Sequence, residues 1–251
     1  MSGHSKWSTI KHKKAATDAK RGKLFTKLLR EVTISARLGG GDAAGNPRLR
    51  AAIQEAKANN VPSENLDRAI KKGTGELEGS VLEVVMYEGY ASGGVAVLVE
   101  AATDNRNRTA GEIRHIFSRY GGSLGEAGCV SWMFQRRGYF VLESEAIEED
   151  AFMELALELE VEDFNVEGGQ YEIFTSLENF DRVRHQLEDR NLPQALKELS
   201  MIPQTLVELE QSNLRPVLHL LEALEEQDDV QNVWANFDAD PSLMAQISAA
   251  S

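Results

Sequence analysis

VLEVVMYEGYASGGVAVLVEAA, residues 81–102, is the stretch at which the spacing of apolar residues changes from helical to strand-like. Two runs rich in Val and Leu, Val81 to Tyr90 and Gly94 to Ala102, are joined at Ser92-Gly93-Gly94, and this pattern predicts an antiparallel hairpin. Because helices are expected before the hairpin and mixed strands and helices after it, we expect an α+β chain with several domains.

The residues before the hairpin predict a small helical domain over 1–75. Glycine is common just beyond a helix C-terminus, and an Asn-Pro pair is typical of a helix start. The expected helices run from near Ala15 to the glycines at 39–41, from Asn46-Pro47 onward, and from Pro62-Ser63 to Gly73.

The residues from 137 to 201 predict a second kind of domain, in which strands and helices follow the βαββαβ order of a ferredoxin-like unit. The expected elements are a strand at 139–142, a helix at 148–159, strands at 163–166 and 171–175, a helix at 177–189 and a strand at 197–201.

The hairpin needs further elements to form a sheet, and these come from both sides of the inserted unit. A helix after the polar loop Thr103 to Thr109 and a strand at Cys129 to Phe134 are expected on one side, and a strand at 204–209, a helix at 214–226 and a strand at 230–237 on the other. We therefore expect a discontinuous α/β domain, 76–136 plus 202–251, that is also ferredoxin-like and carries 137–201 as an insertion.

Charge is distributed very unevenly along the chain. The net charge is −13, yet residues 1–75 hold sixteen Lys and Arg against six Asp and Glu, a balance of +10, whereas 141–251 have a balance of −21. Such an asymmetry is typical of a nucleic-acid-binding end joined to a solubilising or partner-binding end.

Other features indicate a cytoplasmic protein without catalytic chemistry. The single cysteine, Cys129, excludes an internal disulfide, and no apolar run approaches the roughly 20 residues that span a bilayer. Neither a phosphate-binding GK[ST] loop nor metal-ligand spacing of histidines is found. The glycine-rich run Gly121 to Gly128 could meet a phosphate, but a turn is the better interpretation. We expect no enzymatic activity, no cofactor, no metal and no membrane association.

The strongest functional signal is the basic N-terminal segment. On a helical wheel, Lys13, Lys20, Lys23, Lys27, Arg30 and Arg37 form a cationic ridge beside the apolar sector of the first helix. Such a row of cations binds phosphates with counterion release, although a solvated helix face is the alternative. Trp7 could stack on an unpaired base or simply pack on the domain. The nucleic-acid-binding residues predicted here are Lys6, Trp7, Lys11, Lys13, Lys14, Lys20, Arg21, Lys23, Lys27, Arg30 and Arg37.

The loop TDNRNRT, residues 103–109, is a second candidate site. It precedes a helix, whose N-terminal amides favour anions, and Arg106 and Arg108 add planar donors that suit phosphate. A capping loop with Asp104 or Asn105 as the N-cap is an equally good interpretation, and both can hold together.

Seven motifs along the chain resemble those of the YebC/PmpR family. They are MSGHSKW at 1–7, KAA at 14–16, DAKRGK at 18–23, GG at 39–40, NPRL at 46–49, AIKKG at 69–73 and TDNRNRT at 103–109. The resemblance implies a cytoplasmic protein with one helical and two α/β domains, and no catalysis. It also implies a regulator that binds promoter DNA, or a relative of the factors that activate translation or act on stalled ribosomes.

Three functional hypotheses follow. The first is a DNA-binding transcriptional regulator, although the sequence shows no clean helix-turn-helix with base-reading side chains. The second is a translation factor that binds ribosomal RNA through the same basic segment. The third is a partner surface, in which the acidic C-terminal region binds a ribosome or a basic protein. We expect a monomer or a weak dimer.

Overall fold

The computed structural model describes residues 18–77, 81–167, 169–240, 242–244 and 247. Helices α1 to α7 span Asp18–Gly39, Pro47–Ala58, Ser63–Thr74, Arg106–Arg119, Glu149–Glu158, Phe180–Asp189 and Gln211–Glu226. Strands β1 to β10 span Glu83–Tyr90, Ala96–Thr103, Ser123–Leu124, Phe134–Glu143, Asp163–Glu167, Gln170–Thr175, Gln194–Pro203, Val207–Glu208, Val230–Ala235 and Phe237–Asp238.

The chain forms two compact units, each built from separate stretches of sequence. The described residues of the first unit are those within 18–131 and 211–235, and those of the second lie within 132–210 and 236–247. The first unit groups the N-terminal helices with the hairpin, so the units are coarser than the three expected domains. The boundaries at 1–75, 76–136 plus 202–251, and 137–201 therefore stay a prediction.

The three N-terminal helices pack around a small apolar core, which is formed by residues such as Val32, Leu49 and Leu66. Asn46 is the N-cap of α2, as the sequence predicts, and its side chain accepts a hydrogen bond from the amide of Leu49 at 3.1 Å. Gly73 lies where α3 crosses α1, because an added Cβ there would collide with the backbone of α1.

The predicted hairpin is confirmed and forms the centre of an antiparallel sheet with the strand order β3-β1-β2-β9. Glu83 pairs with Thr103 at one end of the hairpin and Tyr90 with Ala96 at the other. Strand β9 lies beside β2 although the two are far apart in sequence. Every residue of β2 except Glu100 is buried.

The second unit contains the expected βαββαβ arrangement, in an antiparallel sheet with the strand order β5-β6-β4-β7. Helices α5 and α6 bury one face of this sheet around Phe140, Phe152, Ile173 and Val183. The ferredoxin-like interpretation of this part of the sequence is confirmed. Among the described residues, no helix is both long and apolar enough to cross a bilayer.

Two predictions in the hairpin domain are wrong in detail. Residues 129–133 form a turn and a short 3-10 helix instead of a strand, and β4 begins only at Phe134. The run from 204 to 209 does not join the hairpin sheet; only Val207 and Glu208 form a strand, and it pairs in parallel with β10.

Helix α4 begins at Arg106, inside the stretch that the sequence predicts as a loop. The polar residues are capping residues, since Asn105 accepts a hydrogen bond from the amide of Arg108 and Thr103 accepts one from the amide of Asn105. Four of the seven residues of the TDNRNRT motif, Arg106 to Thr109, therefore form the first turn of a helix.

Candidate nucleic-acid interface

Asp229, between α7 and β9, is a buried carboxylate that binds two arginines. Its Oδ1 accepts a hydrogen bond from Arg30 at 2.7 Å, and its Oδ2 accepts bonds from Arg108 at 2.8 Å and from the hydroxyl of Thr109 at 2.6 Å. Burial by itself raises the pKa of Asp229, but the hydrogen bonds from Arg108, Thr109 and Arg30 outweigh it and lower this pKa to about 2. One ionised carboxylate thus connects α1 with α4.

Two lysines of the cationic ridge bind the C-terminal end of α7. The Nζ of Lys27 donates to the carbonyl of Glu225 at 2.6 Å, and the Nζ of Lys23 donates to the carbonyl of Glu226 at 3.2 Å. The last carbonyls of a helix lack partners within the helix and carry its negative partial charge. These lysines therefore cap α7.

The two arginines of the ridge also have partners within the first unit. Arg30 donates to the carbonyls of Asp228 at 2.8 Å and Ala102 at 3.0 Å, in addition to its carboxylate partner. Arg37 donates to the carbonyl of Leu82. Contact of these two arginines with nucleic acid stays a prediction, and the structure gives both of them a role inside the fold.

The first helix is not amphipathic along its whole length. Five consecutive residues, from Val32 to Ala36, are buried, which includes the apolar side chain of Ile34. Other elements therefore cover α1 on all sides at this level.

The remaining predicted residues of the basic segment have no described side chains. The helix backbone is described from Asp18, so Lys20 and Arg21 lie on α1, but their side chains are outside the described part of the chain. The predicted residues that lie entirely outside the described residues are Lys6, Trp7, Lys11, Lys13 and Lys14.

The two arginines of the TDNRNRT motif lie in the first turn of α4. Arg106 pairs with Glu83 at 2.7 Å, and its side chain is 65% exposed. Arg108 pairs with Asp104 at 3.1 Å and with the buried carboxylate described above. Because Asn105 caps the helix, the capping interpretation of this motif is confirmed. Its contact with an anion stays a prediction.

A shallow groove of about 600 Å³ runs along the outer face of α4. Its lining includes Asn107, Gly111, His115 and Ile116 of the helix and Gln227 from beyond the end of α7. Asn107, Gly111 and His115 are exposed and follow one another at intervals of four residues, so they lie on one face of the helix.

The last glycine of the run Gly121 to Gly128, together with residues directly after it, binds a carboxylate of the chain itself. Glu88, which is 5% exposed, accepts hydrogen bonds from the amides of Gly128, Val130 and Ser131 at 2.7–2.8 Å. Burial raises the pKa of Glu88, but these amide bonds outweigh burial, so the net shift is downward. The turn interpretation is favoured for this run, because the amides of its four glycines, Gly121, Gly122, Gly125 and Gly128, already donate to oxygens of the chain itself.

Two family models match the chain in succession. The model of the TACO1/YebC N-terminal domain matches residues 5–76, and the model of the TACO1/YebC second and third domain matches residues 82–237. The chain is a member of the TACO1/YebC family. The resemblance predicted from the sequence motifs is thereby confirmed.

Relatives within the TACO1/YebC family match over nearly their whole lengths. A probable transcriptional regulatory protein of Syntrophobacter fumaroxidans is 55% identical over 99% of this chain and 100% of its own. One of Pelotomaculum thermopropionicum is 58% identical over 95% of this chain and 99% of its own. A crystal structure of a conserved hypothetical protein from Aquifex aeolicus is also similar, with a TM-score of 0.80, 48% identity, and coverage of 89% of this chain and 93% of that one.

The sequence of this family member did not reveal the role of Asp229. It ends the acidic run Glu225 to Asp229, yet its side chain is buried and pairs with Arg30 of the ridge and with Arg108 of α4. No local signal in the sequence marks it, because its partners Arg30 and Arg108 lie 199 and 121 positions away.

Proposed function

We propose that this chain is a nucleic-acid-binding regulator of gene expression, and that it binds DNA as a transcriptional regulator. One observation carries this: a balance of +10 over residues 1–75 in a chain whose net charge is −13. The names of its relatives support the same function. The chain acts by binding, in the cytoplasm, and not by catalysis.

The contacts described above narrow the surface that binds phosphate. Lys27 and Arg30 are half-buried and bind carbonyl or carboxylate oxygens of the first unit, so their charges are largely compensated. The cations nearer the N-terminus are the better candidates for phosphate contact. We assign this role to Lys6, Lys11, Lys13, Lys14, Lys20 and Arg21, with Trp7 as a stacking residue.

A second candidate is recognition of RNA by shape and charge and not by base sequence, and one observation favours it. The exposed face of α3 carries Glu64 and Asp67 beside Arg68 and Lys71, so acidic and basic charges alternate there. A helix that reads bases in the major groove presents mainly hydrogen-bond donors to them and is not repelled by the phosphates. The mixed charges on the exposed face of α3 therefore favour RNA, bound on the ribosome, as the second candidate.

Salt-dependent binding tests the proposal. We expect the triple variant Lys11→Gln, Lys13→Gln, Lys20→Gln to bind duplex DNA more weakly. The slope of log K against log salt should fall by about 0.9 for each phosphate that the variant no longer neutralises, or about 2.7 in all. Fluorescence anisotropy with labelled duplex DNA, at salt concentrations from about 50 to about 300 mM, measures both the affinity and the salt slope.

A matched control removes three cations from the second unit. The variant Arg136→Gln, Arg190→Gln, Lys197→Gln has the same net charge as the test variant, and we expect its salt slope to equal that of the wild type. Equal slopes for all three proteins would exclude the N-terminal segment as the binding surface. Tighter binding of single-stranded RNA than of any duplex, with no operator preferred by about 1,000-fold, would favour the RNA alternative.

A further inference from the structure

Gly111, in the middle of α4, has no structural requirement for glycine. Its backbone is helical, and an added Cβ would meet no atom within 4 Å. Glycine in a helix interior destabilises the helix relative to alanine, so alanine would be the more stable choice at this position. Close approach of a ligand to the backbone is a common reason for such a glycine.

Gly111 lies on the floor of the groove along α4, between hydrogen-bond donors. Asn107 and His115 lie one turn before and after it on the same face, and the exposed Arg114 is next to His115. The half-buried Ile116 completes the floor with apolar carbon. The groove thus combines an open, apolar floor with donors along its rim.

The charges of α4 favour an anionic partner, because the helix carries four arginines, which are Arg106, Arg108, Arg114 and Arg119. Glu112 is its acidic residue, and the side chain of Gln227 donates a hydrogen bond to it at 2.6 Å. Among the residues that the structure describes, the guanidinium of Arg114 makes neither a hydrogen bond nor an ion pair. A sugar–phosphate backbone matches this pattern, because its sugars can lie on the apolar floor while its phosphates meet the donors.

We propose that the outer face of α4, formed by Asn107, Gly111, Arg114 and His115, is a second contact surface for the phosphodiester backbone of bound nucleic acid. This inference rests on the proposed function and extends it from the basic N-terminal segment to the hairpin domain. Its partner is the backbone, which receives roughly half to two-thirds of the hydrogen bonds between proteins and DNA.

Gly111→Ala gives a test in which stability and binding change in opposite directions. We expect alanine to raise the Tm by about 1–4 °C, because it is the better helix former and fits without a clash. The new methyl group would lie on the groove floor and weaken binding of labelled random-sequence duplex DNA several-fold. A variant that is more stable yet binds less DNA cannot be explained by partial unfolding.

Arg114→Gln tests the charge at the same surface, with Arg136→Gln as its control. We expect Arg114→Gln to lower the salt slope by about 0.9 and the control to leave it unchanged. Unchanged binding by both α4 variants, while the N-terminal triple variant loses affinity, would overturn this inference and leave the proposed function intact. Absence of binding by the wild type would instead refute the proposed function. Competition by polyglutamate as strong as that by DNA would identify an acidic protein as the partner and also overturn the inference.

Discussion

Replacement of Asp229 by Asn is expected to destabilise the first unit by about 2–4 kcal/mol. The lowering of its pKa from 3.8 to about 2 corresponds to about 2 kcal/mol, at roughly 1.4 kcal/mol for each pKa unit. Asparagine also presents an NH₂ group to guanidinium donors, so Arg30 or Arg108 loses its acceptor. Removal of one partner from a buried ion pair typically destabilises by about 3–5 kcal/mol.

Asp228→Asn is the matched control for this prediction. Asp228 has an exposed side chain, and only its carbonyl accepts a hydrogen bond from Arg30. The control makes the same change in charge one residue away, and we expect it to alter the free energy of unfolding by less than about 0.5 kcal/mol. Urea unfolding at pH 7, followed by circular dichroism, gives both values.

The pH dependence of the difference in stability between the wild type and Asp229→Asn tests whether this difference is electrostatic. The pKa of Asp229 is lowered in the folded state. Its contribution to the free energy of unfolding is therefore complete above about pH 3.8 and is lost as the pH falls through about 2. The free energies of unfolding of the wild type and Asp229→Asn should therefore converge as the pH falls from about 4 to about 2. Equal stability of Asp229→Asn and Asp228→Asn at pH 7, or a difference that does not shrink in acid, would refute the reasoning.

Two further substitutions test the packing of α3 on α1 and the loop that binds Glu88. Gly73→Ala would place a methyl group against the carbonyl of Thr33 and 2.9 Å from the Cβ of Ala36. Thermal unfolding should therefore show that the free energy of unfolding falls by about 1–3 kcal/mol. Glu88→Gln turns an NH₂ group toward backbone donors and should lower the free energy of urea unfolding by about 1–3 kcal/mol. Glu126→Gln in the same loop is its exposed control, and an equal effect of the two would contradict the assignment.

The elements that the sequence predicted well are those whose signals are local. The cap at Asn46, the hairpin around Gly93 and the βαββαβ order all follow from spacing and turn residues over a few positions. Helix α4 was displaced by a few residues, because Asn105 and its neighbours are polar in a loop and in a cap alike.

The contacts that the sequence could not predict are those between distant residues. A helical wheel shows that Arg30 lies on a cationic face, but not that Asp229, 199 positions later, is its partner. The same limit explains why the strand predicted from Cys129 was wrong, since that prediction used only the apolar neighbours of this residue. The amides around it bind Glu88 from another strand, which favours a turn over a sheet ladder.

Crosslinking in cells, followed by sequencing of the attached DNA and RNA, tests the central claim most directly. We predict that promoter DNA is enriched over bulk DNA with the wild type, and that this enrichment disappears with the triple variant Lys11→Gln, Lys13→Gln, Lys20→Gln. The Arg136→Gln, Arg190→Gln, Lys197→Gln control should retain it. Recovery of ribosomal RNA as the main product, or of no nucleic acid above background, would contradict the claim that the chain regulates transcription by binding DNA.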